Sequence, residues 1–139
     1  GYAQWTRSKS FNTFGVFGPY ITTDVDPSKL TIKTILNDQE RQNYPVADMI
    51  FPPAKLVSLV SQDVPLEPGD IIATGTNHRG LSSFQDGDKV ELEVEGMGRL
   101  TIAVKDDLKR TWSRETRLER EQRGLTGTTP QLTGKYAKA

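Results

Sequence analysis

A mainly β domain with few short helices and a charged C-terminal tail is the fold class this sequence predicts, on three observations. Residues 90–104 alternate apolar and polar side chains around a glycine-containing turn. Most glycines and nearly all prolines fall before about residue 105, and from Lys105 to Glu121 charged residues predominate. Period-two alternation is the pattern of a half-buried strand, and glycine and proline punctuate the turns between strands. The 139 residues have room for one domain, burying roughly two-thirds of the surface its unfolded chain exposes.

The elements follow in order. Thr13 to Thr23 mixes aromatic and β-branched residues and reads as a strand around two glycines and Pro19. Leu30, Ile32 and Thr34 alternate with Thr31, Lys33 and Ile35, and a polar turn at Asn37-Asp38-Gln39 leads to a short strand at Arg41–Asn43. Pro52-Pro53 supplies the fixed φ of a helix start, with Leu56, Leu59 and Val60 on one face. Asp48 stands before it as a loosely spaced candidate cap. Asp70–Thr74 reads as a short buried strand after a Leu-Glu-Pro-Gly turn. Val90, Leu92 and Val94, then Leu100, Ile102 and Val104, form the clearest hairpin, turning at Gly96-Met97-Gly98. The spacing of Leu108, Trp112, Glu115 and Leu118 predicts a helix in the tail, an arm on a neighbouring surface rather than an independent unit. After Gly124 the Leu-Thr-Gly-Thr-Thr-Pro stretch reads as irregular.

Composition excludes several function classes. Lys+Arg and Asp+Glu balance at 18 each, which argues against a polyanion-driven nucleic-acid binder. The absence of cysteine excludes disulfides, thiolate catalysis and Cys-ligated metal centres. No apolar run is long enough to span a bilayer and no signal-peptide core is evident. The expectation is a cytoplasmic protein with no nucleic-acid and no membrane partner.

Four stretches hold residues that could carry chemistry. In Trp5–Gly15, Arg7 and Lys9 sit two apart and would point the same way on an extended segment. Lys9, partly desolvated among aromatics, could then face carboxylates or a developing oxyanion; two snorkelling basic residues on a strand edge explain the local text better. In Pro68–Gly80, a strand ending in Gly75-Thr76 presents backbone N–H groups and a hydroxyl suited to a carboxylate. A plain strand-to-turn connection accounts for that stretch equally well. His78, the one histidine, reads as an ordinary surface residue and cannot build a His-based metal site unaided. Glu91, Glu93 and Glu95 alternate with apolar residues and read as a solvated strand face rather than a metal cage, and Asp86-Gly87-Asp88 as a turn.

Together these stretches resemble the fumarylacetoacetate hydrolase superfamily. Lys9-Ser10-Phe11-Asn12-Thr13-Phe14 with Gly18-Pro19-Tyr20 is similar to the family's Lys-Ser-Phe-Asp-Thr-Phe and Gly-Pro-Trp. Arg41-Gln42 then Asp48-Met49-Ile50-Phe51, Leu66–Thr76, and the turn at Asp86-Gly87-Asp88 follow in the family's order, over residues 5 to about 104. Asn12 stands where Asp is common, and Asn77-His78 replaces a common proline. The resemblance implies a mixed β-roll over residues 1–105; residues 106–139, which its motifs do not cover, read as a charged helical or extended tail wrapping a partner.

It also implies an enzyme of aromatic catabolism: a metal-dependent hydrolase cleaving a C–C bond of an acylpyruvate-like β-diketo acid through a metal-stabilised enolate. Decarboxylation, isomerisation or hydration of a 2-keto acid is the alternative, or a non-catalytic assembly fragment. By position, Lys9 is the catalytic cation, Gly75 and Thr76 hold the substrate carboxylate, and Thr13 stands close behind the metal ligands. The cofactor is Mg²⁺ (or Mn²⁺/Ca²⁺). The family's metal carboxylates lie upstream of its Lys-Ser-Phe motif, so the resemblance places no direct metal ligand in these 139 residues, the C-terminal half of a catalytic domain. The partners implied are a small keto acid and either a second copy (a homodimer) or a complementary chain carrying the N-terminal half.

Overall fold

The structure is a computed structural model that describes residues 4–126, 129–135 and 137. Its centre is a four-stranded antiparallel sheet: β1 (Thr31–Leu36), β2 (Gln39–Pro45), β3 (Lys89–Val94) and β4 (Gly98–Ala103), in the order β2-β1-β3-β4. Three helices accompany it, α1 (Trp5–Lys9), α2 (Pro53–Asp63) and α3 (Arg117–Gln122), with two single 3₁₀ turns at Pro27–Lys29 and Val46–Asp48. The mainly β class with few short helices therefore holds, built on an open sheet.

Turn chemistry sets the registers. Asn37 and Asp38 adopt φ +49° and +65°, the paired left-handed geometry of a two-residue hairpin loop that Asn and Asp tolerate. Asn37 then ties that loop to β3: its Nδ2 donates to Asp88 Oδ1 at 2.9 Å and its Oδ1 accepts from the Lys89 amide at 2.9 Å. In register with β1, Val90, Leu92 and Val94 face Leu36, Thr34 and Ile32. On the other flank β1 pairs Thr34 with Gln42 but Ile35 with Glu40, so Arg41 is the extra residue of a β-bulge on the edge strand. A bulge bends the strand and re-aims its side chains, here within the Arg41-Gln42 pair.

The core is thin. Leu36 and Val46 are the buried apolar side chains among the described residues, whereas Phe11, Phe17, Tyr20, Ile21, Ile50 and Phe51 are at least half exposed. Glu91, expected on a solvated face, is buried at 5% exposure. Arg99 and Lys89 cover it with ion pairs at 3.2 Å each. The Lys89 hydrogen bond, then the Arg99 one, outweigh partial burial and hold its carboxyl below the usual range.

Several expectations need correction. Residues 13–23 form no strand, because left-handed positions at Thr13 (φ +68°) and Gly18 (φ +114°) break an extended course. Trp5–Lys9 is helical rather than extended, so Arg7 and Lys9, two apart, point to different sides. Asp70–Thr74 lies in an irregular segment with Ile71 60% exposed, not in a buried strand. Asp48 caps nothing: Pro52 is the N-cap of α2 and makes no side-chain cap. Among the described residues of the tail, helix is confined to Arg117–Gln122. Asp106 captures the Leu108 and Arg110 amides at 3.1 and 3.3 Å and Lys109 takes φ +50°, local bonding that competes with helix. Helix starts only where Thr116 and Glu119 form a capping box. The irregular stretch expected after Gly124 includes Gly127 and Thr128, which lie outside the described residues. Among the described residues no helix is long and apolar enough to cross a membrane.

Candidate functional site

The irregular segment between α2 and β3 carries Gly75 and Thr76, and a second motif meets it there. Gly75 sits at φ +94° with open space where a side chain would be, so the conformation, not crowding, calls for glycine. Gln42 reaches across from the bulged strand. Its Nε2 donates to Thr76 Oγ1 at 3.0 Å and also to the Asn77 carbonyl. Gly80 closes the same turn: a Cβ there would stand 1.9 Å from the Arg41 carbonyl oxygen and 2.5 Å from Gln42 Cγ. The Arg41-Gln42 and Gly75-Thr76 stretches, 34 residues apart between Gln42 and Thr76, thus form one unit. Thr76 is exposed, and among the described residues no acceptor engages the Gly75 amide. A threonine hydroxyl fixed by an amide, beside an unengaged N–H, is a donor set that suits a carboxylate.

Lys9 lies at the end of α1, where its ammonium rests 5.1 Å from the Trp5 ring centroid. That contact is an (i, i+4) helix pair, about 0.5–1 kcal/mol at an exposed site. Lys9 is exposed rather than partly desolvated. Thr13 is exposed in the turn that follows, where Phe11 and Phe14 stack at 5.4 Å. An open groove of about 1090 Å³ lies elsewhere, lined by Phe14, Leu81, Phe84, Trp112, Arg117 and Leu125 among others. Neither Lys9, Thr13, Gly75 nor Thr76 lines it. The first motif reaches that groove through Phe14 alone.

The tail packs on this chain's own loop. Asp86 accepts from the Asp106 amide at 2.9 Å and from Lys109 Nζ at 2.5 Å. Asp88, 5% exposed, takes a two-pronged grip from Arg114 at 2.5 and 2.8 Å. Burial alone would push the Asp88 carboxyl up; Arg114, Asn37 and the Gln85 amide more than reverse that and leave it at about 2. Farther along, Arg117 Nη1 approaches His78 Nδ1 at 3.5 Å. No cluster of three or more His, Asp or Glu among the described residues could hold a metal ion. Glu91 and Glu93 are instead engaged by Arg99.

The sequence names Arg41-Gln42 as a motif and the tail as an arm, but assigns neither of them, nor Gly80, a role at the Gly75-Thr76 loop. The pair Arg41-Gln42 was visible as text, but a bulge that turns Gln42 toward Thr76 leaves no local signature.

Residues 1–105 match the family described as fumarylacetoacetate (FAA) hydrolase, C-terminal, and the chain belongs to that family. Among curated relatives it is 43% identical over 101 residues to the 4-hydroxyphenylacetate degradation bifunctional isomerase/decarboxylase of Salmonella dublin, covering 70% of this chain and 23% of that one. Among solved structures, 2-hydroxyhepta-2,4-diene-1,7-dioate isomerase from Mycobacterium marinum superposes with a TM-score of 0.72 at 40% identity, over 75% of this chain and 41% of that one. Maleylpyruvate hydrolase from Sphingobium sp. SYK-6, in complex with manganese(II) and pyruvate, superposes with a TM-score of 0.59 at 34% identity, over 63% and 34%. The chain spans less than half the length of the curated relatives it matches. Residues 106–139 lie beyond the matched portion.

Proposed function

We propose that this chain is the keto-acid-gripping part of an enzyme that acts on a β-diketo or 2-keto acid by way of an enolate. The observation that carries the reading is the convergence of Gln42 on Thr76 beside the left-handed Gly75. Gln42 orients the Thr76 oxygen, and the Thr76 hydroxyl with the Gly75 amide donates to the substrate carboxylate. The negative charge that develops on the substrate oxygen needs a fixed cation nearby, and Lys9 takes that role on the strength of its motif.

The divalent cation of this reading, Mg²⁺ or Mn²⁺ or Ca²⁺, does not fit the described residues, which offer no ligand set; a hard cation needs several oxygens. Its carboxylates belong to other residues, with Thr13 close behind them. The exposed aromatic residues around Phe11, Phe17, Tyr20 and Phe51 support a second copy of the chain or a complementary segment as the surface that covers them.

Hydrolysis of the C–C bond of an acylpyruvate-like substrate is the first reading. Isomerisation or decarboxylation of a related keto acid is the second, and the names of the isomerase and isomerase/decarboxylase relatives favour it at least as well. Incubating the full-length or two-piece assembly, which supplies the metal carboxylates, with Mg²⁺ and either an acylpyruvate or a 2-hydroxymuconate-type diacid, and following pyruvate release, CO₂ release and double-bond migration separately, decides among the three. Lys9→Ala and Thr76→Val are expected to lower turnover at least 100-fold. Unchanged turnover in Lys9→Ala would falsify the assignment of the cation.

A further inference from the structure

Residues 64–88 form no helix or strand, so nothing in a ladder holds the loop that carries Gly75 and Thr76. Its anchors come from two directions. On the β2 side, Gly80 abuts the Arg41 carbonyl and Gln42 binds Thr76. The other anchors come from the first turn of α3. The Arg117 amide donates to the Leu81 carbonyl at 2.7 Å, and the Leu118 amide donates to the Arg79 carbonyl at 2.9 Å. A helix leaves its first N–H groups without internal partners, and α3 uses two of them on this loop. The segment leading to α3 is itself held in place: Asp88 grips Arg114, Ser83 donates to the Ser113 carbonyl at 2.6 Å, and the Trp112 amide donates to Gln85 at 3.1 Å. Both clasping donors lie beyond residue 105, outside the matched family portion.

We infer that Arg117 is a positioning residue for the carboxylate grip: its backbone amide ties the loop down at Leu81, and thereby keeps Thr76 within reach of Gln42. This rests on the proposed function of Gly75 and Thr76. The clasp acts through the main chain: the Arg117 side chain pairs with Glu121 at 2.9 Å and adds only a long 3.5 Å approach to His78 of the loop, a contact that Arg117→Ala removes on its own.

Position 117 permits a clean test. It is the first residue of α3, where proline is accommodated, and Thr116 at φ −74°, ψ 161° already has the extended conformation a residue before proline requires. Arg117→Pro deletes the amide donor and the side chain; Arg117→Ala deletes the side chain alone. Amide hydrogen exchange of the full chain is expected to accelerate at least tenfold at the amides of residues 75–81 that donate within the loop, Arg79 to Asn77 Oδ1 and Leu81 to the His78 carbonyl, in Arg117→Pro, with β1 and β3 amides unchanged. Arg117→Ala stays within twofold of the parent. On an acylpyruvate or diacid substrate, Arg117→Pro is expected to raise KM at least fivefold with kcat within twofold. Equal exchange in Arg117→Pro and the parent, or equal acceleration in both variants, overturns the inference, as does a fall in kcat at constant KM. Should Arg117→Pro also unprotect β1 and β3, Thr116→Ala, which loosens the capping box without proline, must accelerate residues 75–81 selectively or the inference fails. A parent protein inactive on every keto acid sinks the functional reading while the exchange comparison still decides the clasp.

Discussion

Replacing Arg114 with leucine should cost about 2–3 kcal/mol of folding stability at pH 7. The side chain holds both oxygens of Asp88, at 2.5 and 2.8 Å, and reaches the Ser83 carbonyl at 3.4 Å. Asp88 is 5% exposed, so without Arg114 a buried carboxylate keeps only Asn37 Nδ2 at 2.9 Å and the Gln85 amide at 2.7 Å. Removing one partner of a buried pair typically costs about 3–5 kcal/mol. Arg114 is itself 37% exposed, so water screens part of that, which lowers the expectation. Linkage gives a compatible figure: a carboxyl lowered from 3.8 to about 2 contributes ~2 kcal/mol. Because the folded value lies below the unfolded one, this contribution is complete above about pH 5 and disappears as pH falls through about 2. Urea unfolding followed by tryptophan fluorescence at pH 7 and at pH 2.5 measures both effects. The gap between parent and variant should shrink strongly in acid. A gap under about 0.5 kcal/mol at pH 7, or one that persists undiminished at pH 2.5, would show that the Asp88 grip on the tail is not what the geometry implies.

Two further outcomes are expected. Gly80→Ala forces a methyl to within 1.9 Å of the Arg41 carbonyl, so the loop must lift off the bulge, at a cost of about 2–3 kcal/mol; a melting temperature equal to the parent's would contradict the contact. Gln42→Ala removes the donor shared by Thr76 and Asn77 from a half-buried side chain, at about 1 kcal/mol, and should raise KM for a keto acid at least threefold. Calorimetry with pyruvate as the probe, showing equal affinity in parent and variant, would dismiss Gln42 as the orienting group.

Strand alternation and turn chemistry were legible in the text because both depend on near neighbours. Val90 to Val104 reads as a hairpin, Asn37-Asp38-Gln39 as a polar turn, and Pro52-Pro53 as a helix start; each is found near where its local chemistry places it, the turn tightening to Asn37-Asp38 with Gln39 already in β2. Local text also misled where bonding competes. Trp5–Lys9 curls into a helix that seats Lys9 over Trp5, and the Asp106 side chain takes amides that a longer tail helix would have needed.

The sequence by itself determined the family, through motifs whose order survives without any knowledge of contacts, and the neutral, cysteine-free composition that excludes whole chemistries. What touches what was decided only by the tertiary structure. Gln42 meets Thr76 because an edge-strand bulge bends one stretch toward another 34 positions away, and Arg117 meets Leu81 because Asp88 and Arg114 draw the tail along the loop. Hydrogen bonds between remote residues depend on ångström-scale placement, and no periodicity or composition encodes that.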